Sequence, residues 1–415
     1  MFSRYWESFT DREQRREGKY SEMEEKTRIK TGIIGCGTIS DVYMTNISKH
    51  YHNLELVWAA DLYAEKAKQA QQKYGIPCAG TVEELLADPE VELVLDLTIP
   101  AAHYSVNRQC LEAGKHVYCE KPLALKFSEA KELTDLAASR GLYCVSAPDT
   151  FLGSGIQTVR SIMDSGRIGK AIGFTANMTC PGHELWHPNP GFYYRNGGGP
   201  MFDMGPYYLT ALVYLLGPIQ KISCFSIKGR PVRNILGKQT ETEVPTTYTA
   251  ILSFVCGAVG TMTMSFDTWK TRLPLLEVYG TEGSIEVPDP NGFSGKVEIF
   301  DGNKLQETVN AVKDPFPAKL IAMMQNQEAC TEEIPSEFAA DPDPRENMRG
   351  LGVSDLAQAL LTNRQPRVSS SVSLHVVEAL NAFEISARSG QAYEMTTTAE
   401  RSEPMGKDWE LWEVK

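Results

Sequence analysis

The sequence predicts an α/β protein: a doubly wound parallel sheet near the N-terminus, followed by an α+β domain with a large open, mostly antiparallel sheet. Two observations predict the first domain. Apolar runs of strand length alternate with helical segments from residue 29 onward, and a glycine-rich turn follows the first run. The second domain is predicted because strand-like segments dominate after residue 149. A chain of 415 residues is also too long for one ordinary hydrophobic core.

The apolar runs of the first domain have the continuous form of strands that are buried on both faces. The glycine turn leads into a helix that ends near His50, and another helix begins at Ser128. Thr81 and Glu84 form a capping-box pattern before a short helix. The predicted strands are Lys30–Gly35, Leu54–Ala60, Val91–Thr98, HVYC at 116–119 and LYCVSA at 142–147.

The second domain begins with a predicted helix over about 153–165. Thr246–Thr268 predicts a hairpin that turns at Cys256-Gly257-Ala258, and ADPDPRENMRG at 340–350 predicts a loop. Further strands are expected near 275–287 and 296–300, and helices near 350–361 and 372–388. These patterns divide the chain into an N-terminal arm at 1–28, domains at 29–148 and 149–395, and a C-terminal tail at 396–415.

Composition excludes several classes of function. The net charge of −12 disfavours a nucleic-acid partner, because phosphate binding requires a basic face. The 42% hydrophobic and 23% charged residues are typical of a soluble globular protein, and no apolar run is long enough to predict a membrane span. The nine cysteines are scattered without a Cys-x-x-Cys pair, which favours reduced thiols and a cytoplasmic location.

The turn Gly35-Cys36-Gly37-Thr38-Ile39 is typical of a dinucleotide-binding site. Gly35 allows a tight turn, and Gly37 lets the backbone approach a pyrophosphate at the start of the next helix, which contains Thr38 and Ile39. A glycine turn between a strand and a helix is common, but this one lies in a β-α-β unit, as the motif requires. We therefore expect these residues to bind a dinucleotide.

Asp61 ends the second predicted strand. A carboxylate there accepts hydrogen bonds from the adenosine ribose and repels a 2′-phosphate. Leu62 and Tyr63 follow, so no arginine is available for that phosphate. The sequence therefore predicts NAD in preference to NADP, although Asp61 could also cap the next helix.

Glu120-Lys121-Pro122 follows the strand HVYC. Pro122 is expected to end the strand at the carboxyl edge of the sheet, where open sheets bind ligands. Lys121 would then point toward the nicotinamide ribose and a substrate hydroxyl; a solvated surface lysine is the alternative. Other cofactor contacts are expected at the ends of these strands, namely Thr98, Pro100, His103 and Glu120.

The segment GGGPMFDMGPY at 197–207 is the third group of interest. Three glycines can bring the backbone into a crowded place, and a helix is predicted to start near Met201. Asp203 and Tyr207 are four residues apart, so they share one face of that helix. The alternative makes Asp203 a helix cap and Tyr207 a core aromatic.

With these segments the chain resembles the glucose–fructose oxidoreductase / inositol dehydrogenase / rhizopine-catabolism (Gfo/Idh/MocA) family over about residues 29–390. The resemblance rests on GCGTIS, TIPAAHYSVNRQCLEAGKHVYCEKP at 98–122, GGGPMFDMGPYYLTALVYLLG and YGTEGSIEV at 279–287. It implies a Rossmann domain and a second domain whose open sheet often serves oligomerisation, so a homodimer or homotetramer is expected. It also implies NAD(P)-dependent oxidation or reduction of a hydroxyl on a sugar, cyclitol or glycoside.

By the same resemblance, Lys121 is the catalytic lysine and Asp203 the helix aspartate. Many members have a histidine where this chain has Tyr207, and that difference speaks against an inositol dehydrogenase. PDTFLG at 148–153 also departs from the commoner pattern, in which an arginine follows this strand. Substrate contacts at that segment are therefore not carried over.

A proton relay follows from these residues, because an alcohol must lose its hydroxyl proton as the hydride departs. Free tyrosine has a pKa of about 10, so it needs a neighbouring cation to act as a base. We expect Tyr207 to exchange the proton and Lys121 to stabilise the phenolate and polarise the hydroxyl. Asp203 would orient either the lysine or the sugar.

His183, Trp186 and His187 lie in the loop CPGHELWHPNPGFYYRN and are expected to line the substrate pocket, with Trp186 stacking on a sugar ring. Either histidine could replace the missing acid/base, although exposed loop histidines are usually inert. No His/Cys/Asp cluster has metal-ligand spacing, so no metal is predicted.

Three classes of function remain open at this point. The first is a sugar, glycoside or cyclitol dehydrogenase with exchangeable NAD, and the second is a glycosidase that transiently oxidises a sugar through bound NAD. The third is a non-catalytic sugar sensor. Glu120-Lys121-Pro122 and Asp203 argue against the sensor, because it needs no proton relay.

Overall fold

The computed structural model describes residues 26–312, 318–336 and 347–406. Residues 1–25 of the predicted arm, residues 340–346 of the predicted loop and residues 407–415 of the predicted tail lie outside this range. Every candidate site residue lies within it.

A parallel sheet forms the first domain, as the sequence predicts. Its elements in chain order are β1 (Ile29–Ile34), α1 (Thr38–Lys49), β2 (Leu54–Ala60), α2 (Ala64–Tyr74), β3 (Cys78–Gly80), α3 (Val82–Ala87), β4 (Leu93–Asp96), α4 (Pro100–Glu112), β5 (His116–Cys119), α5 (Phe127–Ser139) and β6 (Cys144–Ser146). The strand order is β3-β2-β1-β4-β5-β6, and every neighbouring pair is parallel. The order reverses between β1 and β4, which is where such sheets bind ligands.

Both faces of this sheet are covered, which explains the continuous apolar runs. Successive strand residues point to opposite faces. Ile33 therefore packs in one core cluster with Tyr43 of α1, and Ile34 in another with Leu111 of α4 and Leu133 of α5. A polar residue at either position would lie in a core.

The second domain is built on a mixed, mostly antiparallel sheet, again as predicted. Its elements in chain order are α6 (Ser154–Asp164), β7 (Ala171–Thr179), α7 (Gly199–Leu216), β8 (Ile219–Ile227), β9 (Val232–Ile235), β10 (Lys238–Glu241), β11 (Thr247–Phe254), β12 (Val259–Ser265), β13 (Leu276–Gly280), β14 (Gly283–Val287), β15 (Val297–Asp301), α8 (Gly302–Asn310), α9 (Ala318–Gln325), β16 (Thr331–Ile334), α10 (Leu351–Thr362), α11 (Ser370–Ser389) and β17 (Tyr393–Glu394). The strand order is β16-β15-β14-β13-β7-β12-β11-β8-β17. The pair β7–β12 is parallel, and the other pairs are antiparallel.

One face of this sheet packs on α7 and α11, and the other is open. Along β11, Tyr248, Ala250 and Leu252 are buried, whereas Ile251 points to the open face and is 57% exposed. The hairpin predicted over 246–268 is confirmed as β11 and β12. The sequence analysis did not predict the β9–β10 hairpin or the helices α8 and α9.

The C-terminal part of the chain contacts both domains. Residues 347–350 and α10 pack against the first domain, where Asn46 Nδ2 donates to the Asn347 carbonyl at 2.6 Å and Tyr51 OH to the Met348 carbonyl at 2.6 Å. Residues 396–406 pack back on the second domain, where the Met405 amide donates to Gln157 Oε1 at 2.8 Å. Within the described ranges, no helix has both the length and the apolar character that crossing a membrane requires.

Candidate active site

The glycine turn between β1 and α1 is shaped for an anionic ligand. Gly35 has a φ of +97°, and an added Cβ would lie 2.7 Å from the Leu97 carbonyl carbon, so only glycine fits. Nothing lies within 4 Å of the position that a Cβ on Gly37 would take, and no side chain caps α1, which continues with Thr38 and Ile39. An open, uncapped helix start has backbone N–H groups available to a phosphate.

Asp61 is fixed beside this turn at the end of β2. Its Oδ2 accepts a hydrogen bond from the Cys36 amide at 2.7 Å, and its Oδ1 from the Tyr63 amide at 2.8 Å. Leu62 and Tyr63 are exposed, and neither provides a positive charge for a 2′-phosphate. The residues present therefore fit an NAD ribose better than an NADP ribose.

The turn after β4 is held by buried side chains. The Thr98 amide and hydroxyl both donate to Asp96 Oδ1, at 2.9 and 2.7 Å, and Pro100 is the first residue of α4. His103 is fully buried, with Nδ1 2.7 Å from the Pro122 carbonyl oxygen and Nε2 3.1 Å from that of Thr98. His103 thus joins the two loops at the carboxyl edge of the sheet.

A three-residue group that chain spacing did not indicate also lies here. The ligand atoms of Asp96, His103 and Cys119 all lie within 4.8 Å of one another, and all three residues are buried. Both nitrogens of His103 already face carbonyl oxygens. We therefore interpret this group as a buried polar cluster that stabilises the loops after β4 and β5.

Glu120 points inward from the loop that follows β5. Its Oε1 accepts a hydrogen bond from Tyr43 OH of α1 at 2.7 Å, and its Oε2 accepts one from the Lys121 amide at 3.0 Å. The side chain thus ties the loop that carries Lys121 to the helix that begins at the glycine turn.

Lys121 crosses to the second domain and contacts Asp203 near the start of α7. Its Nζ lies 2.5 Å from the Asp203 carbonyl oxygen and 3.1 Å from Oδ1. Burial would lower the pKa of Lys121, but Asp203, Tyr207 and Glu120 together raise that pKa above its ordinary value. The ammonium is therefore charged at neutral pH.

The glycines before α7 bring Asp203 to this position. An added Cβ on Gly198 would lie 2.6 Å from the Phe192 carbonyl oxygen, so the chain passes close to the turn at 190–194. The helix begins at Gly199, two residues before the predicted start. Asp203 and Tyr207 share one face of it, as expected.

His183 is the second partner of Asp203. Its Nε2 lies 3.2 Å from Asp203 Oδ2, and its ring packs among Trp186, Tyr193 and Phe266. Burial would lower the pKa of His183, but the hydrogen bonds with Asp203 and Cys180 raise it to about 9. Likewise, burial would raise the pKa of Asp203, but Lys121 and His183 hold it below its ordinary value. One carboxylate is therefore shared by two cations.

Tyr207 lies beside this group, and its main polar contact is a residue that the sequence analysis missed. Arg349 Nη2 donates to the Tyr207 hydroxyl oxygen at 3.0 Å. Lys121 Nζ is 5.1 Å from the centre of the Tyr207 ring. No motif marks Arg349, because it lies 142 residues from its partner in a segment that reads as a polar loop.

Trp186 and His187 lie at the rim of the site and do not contact Asp203. Trp186 is 66% exposed, and its ring lies 5.1 Å from that of His183. His187 packs edge-on against Tyr193, and its Nδ1 accepts a hydrogen bond from the Asn189 amide at 3.0 Å. The two residues belong to an aromatic rim next to the charged group.

The chain is similar to known oxidoreductases. A family model described as "Oxidoreductase family, NAD-binding Rossmann fold" matches residues 29–147, and a model of the GFO/IDH/MocA C-terminal domain matches residues 156–286. The chain is 31% identical to trans-1,2-dihydrobenzene-1,2-diol dehydrogenase of Bos taurus over 268 residues, which is 63% of this chain and 75% of that protein.

Solved structures share the fold across most of the chain. An NAD-binding oxidoreductase from Klebsiella pneumoniae has a TM-score of 0.75 at 21% identity, covering 89% of this chain and 100% of its own. A levoglucosan dehydrogenase in complex with NADH has a TM-score of 0.73 at 17% identity, with the same coverage. The first domain is thus an NAD-binding Rossmann domain, and the chain belongs to the Gfo/Idh/MocA family of oxidoreductases.

Proposed function

We propose that this protein is an NAD-dependent dehydrogenase that acts on a secondary hydroxyl or keto group of a sugar, glycoside or cyclitol. One observation carries the proposal. The Lys121 ammonium of the first domain lies 3.1 Å from Asp203 Oδ1 and 5.1 Å from the centre of the Tyr207 ring in the second. A cation, a carboxylate and a phenol that converge beside a nucleotide-binding edge are the groups that alcohol oxidation requires.

NAD, when bound, supplies the acceptor for a hydride from an alcohol. Gly35, Gly37 and the start of α1 would hold its pyrophosphate, and Asp61 its adenosine ribose. Thr98, Pro100 and Lys121 would border the nicotinamide end, at the carboxyl edge of β4 and β5. His103 and Glu120 would support that edge from below.

Among the residues that the structure describes, Asp203 takes two of the three hydrogen-bond donors of the Lys121 ammonium, which leaves one for a substrate. An ammonium carries three N–H groups, and Asp203 faces Nζ with two oxygens, its carbonyl and Oδ1. The third N–H would donate to the reacting hydroxyl oxygen and stabilise charge that develops there. Tyr207 would take the hydroxyl proton during oxidation and return it during reduction.

A cyclic substrate fits the rim of the site. Trp186 exposes a flat apolar surface, His187 lies next to it, and Tyr193 packs against His187. A ring with one apolar face could stack there while its hydroxyls reach Lys121. The related dihydrodiol and levoglucosan dehydrogenases are named for cyclic substrates that carry hydroxyl groups.

The test is an absorbance assay at the NADH band with NAD and a panel of sugars, glycosides, cyclitols and cyclic diols. A dehydrogenase produces NADH in proportion to the oxidised substrate. A glycosidase that oxidises transiently would hydrolyse a glycoside without net NADH, and a sensor would bind a sugar without turnover. Absence of NADH with every substrate would contradict the proposal.

Lys121→Ala is expected to reduce turnover by roughly 10²–10⁴-fold, because it removes the donor to the reacting oxygen. NADH binding, measured by fluorescence, should remain. Lys126→Ala is the matched control, because that lysine is exposed, five residues away and paired with Glu129. Turnover that survives the Lys121 change would remove this residue from the mechanism.

We further propose a homodimer formed through the open face of the second sheet. Apolar side chains on this face are exposed, including Phe225, Ile227, Ile251 and Val259. A water-facing side of an antiparallel sheet is usually polar, so a second copy is the partner that we propose.

All nine cysteines are free, which supports the expected cytoplasmic location.

A further inference from the structure

Arg349 makes the direct contact with the Tyr207 hydroxyl and is not one of the residues assigned above to proton transfer. The Nη2–OH distance is 3.0 Å, and Asn291 Oδ1 lies 3.5 Å from the same nitrogen. Nη1 donates to Asn347 Oδ1 at 3.0 Å. The guanidinium therefore has a defined orientation, with one edge on the phenol.

The backbone of Arg349 is fixed by α1 of the first domain and by Asp149, the residue that follows this domain. Asn46 Nδ2 of α1 donates to the Arg349 carbonyl at 2.9 Å, and Asp149 Oδ2 accepts from the Gly350 amide at 3.0 Å. Gly350 has a φ of +106° and packs against the ring of Tyr51. Arg349 thus reaches from a segment held by the nucleotide domain to a phenol of the second domain.

Lys121 is less well placed to act on the phenol oxygen. Its Nζ faces the Asp203 carbonyl oxygen and Oδ1. Its contact with Tyr207 is with the face of the ring, 5.1 Å from the ring centre, and not a hydrogen bond to the hydroxyl. An arginine cannot exchange a proton at accessible pH, so it acts on a phenol only through charge and hydrogen bonding. The two cations are therefore suited to different atoms.

We propose that Arg349 is the cation that prepares Tyr207 to accept the substrate proton, while Lys121 acts on the substrate oxygen. This inference rests on the proposed function. In oxidation, Tyr207 would first lose its own proton to water. The substrate O–H bond would then break and a new O–H bond would form on the Tyr207 oxygen, while the substrate C–H bond would break, its electron pair would pass as hydride to bound NAD, and a carbonyl group would remain. Arg349 gains and loses nothing; its charge stabilises the anionic oxygen before the proton arrives.

Other charged or titratable groups lie near Tyr207 and Arg349 and affect the ionisation of the phenol. Lys121 faces its ring, Tyr193 lies nearby in the turn at 190–194, and Glu120 and Tyr43 face Arg349. Burial would lower the pKa of Arg349, but Tyr207 and Glu120 raise it above its ordinary value. The charge of Lys121 adds to that of the guanidinium. The effect of Arg349 on Tyr207 is therefore measured by comparing Arg349 variants with the wild-type protein, because these other groups are the same in both.

The kinetic test compares Arg349→Met and Arg349→Lys with the wild-type protein over a range of pH, in both reaction directions. In oxidation, Arg349→Met should move the rising limb of kcat/KM upward by about one to three pH units, the range for loss of a nearby opposite charge. Its activity should recover at high pH. In reduction, the falling limb of kcat/KM should also move to higher pH, so the variant remains active at a higher pH than the wild type.

Arg349→Lys keeps the positive charge and should show a rising limb within about one pH unit of the wild type. Arg349→Ala should be rescued in part by millimolar methylguanidinium and not by the same concentration of sodium chloride. A variant whose activity falls equally at every pH, without a shift, would assign Arg349 a purely structural role and overturn the inference.

A second measurement does not depend on turnover. Tyrosine labelled with ¹³C at Cζ reports ionisation of each ring, and Tyr207→Phe identifies the Tyr207 signal. In the wild-type protein this signal should change at lower pH than in Arg349→Met. If no substrate produces NADH, the proposed function fails, while this titration still tests whether Arg349 stabilises the ionised Tyr207. Identical titration midpoints in the two proteins would overturn the role of Arg349.

Discussion

At the scale of single residues, the contact between Asp203 and two cations determines the candidate site. Lys121 was predicted from the strand that precedes it, and Asp203 from its helical spacing to Tyr207. Both predictions depend on local patterns in the chain. The contact between Arg349 and Tyr207 could not be predicted in this way, because it depends on how a segment near the C-terminus returns to the first domain.

His183 gives a pH dependence that belongs to this scale. Its pKa is about 9 in the folded protein, above the usual value of about 6.5. The stabilisation from the His183–Asp203 pair is therefore fully present below about pH 6.5 and is lost as the pH rises through 9. His183→Gln should lower the free energy of unfolding by about 2–3 kcal/mol at pH 6 and by much less at pH 10.

Chemical denaturation at several pH values measures this difference. The control repeats the His183→Gln change in an Asp203→Asn background, where the imidazolium has no carboxylate to pair with. The part of the pH dependence that comes from Asp203 should then disappear, while the part from the Cys180 hydrogen bond remains. An unchanged pH dependence in that background would show that Asp203 is not the cause.

At the scale of secondary-structure elements, the sequence predicted best where the requirement is local. The glycine turn, the capping box of α3 and the β11–β12 hairpin each depend on residues that are close in the chain. The β9–β10 hairpin was not predicted, since it is held by long-range contacts. Arg233 of β9 is buried and paired with Glu184 at 2.8 Å, across 49 residues.

The two glycines of the β1–α1 turn should respond differently to alanine. Gly35→Ala forces a side chain into a left-handed conformation and against the Leu97 backbone, so the free energy of unfolding should fall by at least about 1–2 kcal/mol. Gly37→Ala has open space for its methyl group and should fold as the wild type does. It should nevertheless weaken NADH binding, because the methyl group lies where a pyrophosphate would approach.

Thermal melting and NADH titration of the two variants separate these effects. Gly75→Ala is a suitable reference, because Gly75 also has a positive φ but lacks close neighbours and lies at the end of α2. A Gly37→Ala variant that binds NADH as tightly as the wild type would place the cofactor away from this turn.

At the scale of the whole molecule, the candidate active site lies where the two domains meet. The contact of Lys121 with Asp203 joins the two domains, and Arg349, whose backbone is held by α1, contacts Tyr207. The number and order of the domains followed from chain length and from the change of pattern near residue 149. The packing of residues 347–362 against the first domain could not be predicted in this way. The sequence of a polar loop and an apolar helix does not indicate which of the two sheets they pack against.

The proposed homodimer gives a prediction at this scale. Ile251→Lys places a charge among the exposed apolar side chains of the open face, so it should convert a dimer to a monomer in size-exclusion chromatography with light scattering. Ala138→Lys, on an exposed position of α5, is the control and should leave the mass unchanged. A wild-type protein that is monomeric at micromolar concentration would contradict the proposed interface.

A crystal structure of the wild-type protein with NADH and an alcohol substrate tests the central claim most directly, because this pair forms a complex that does not react. We expect one substrate oxygen to lie about 2.6–3.2 Å from both Lys121 Nζ and Tyr207 OH, the reach of a group that moves a proton. The carbon that bears this oxygen should face the nicotinamide. A substrate oxygen that contacts only one of these groups, or a nicotinamide bound away from both, would contradict the account.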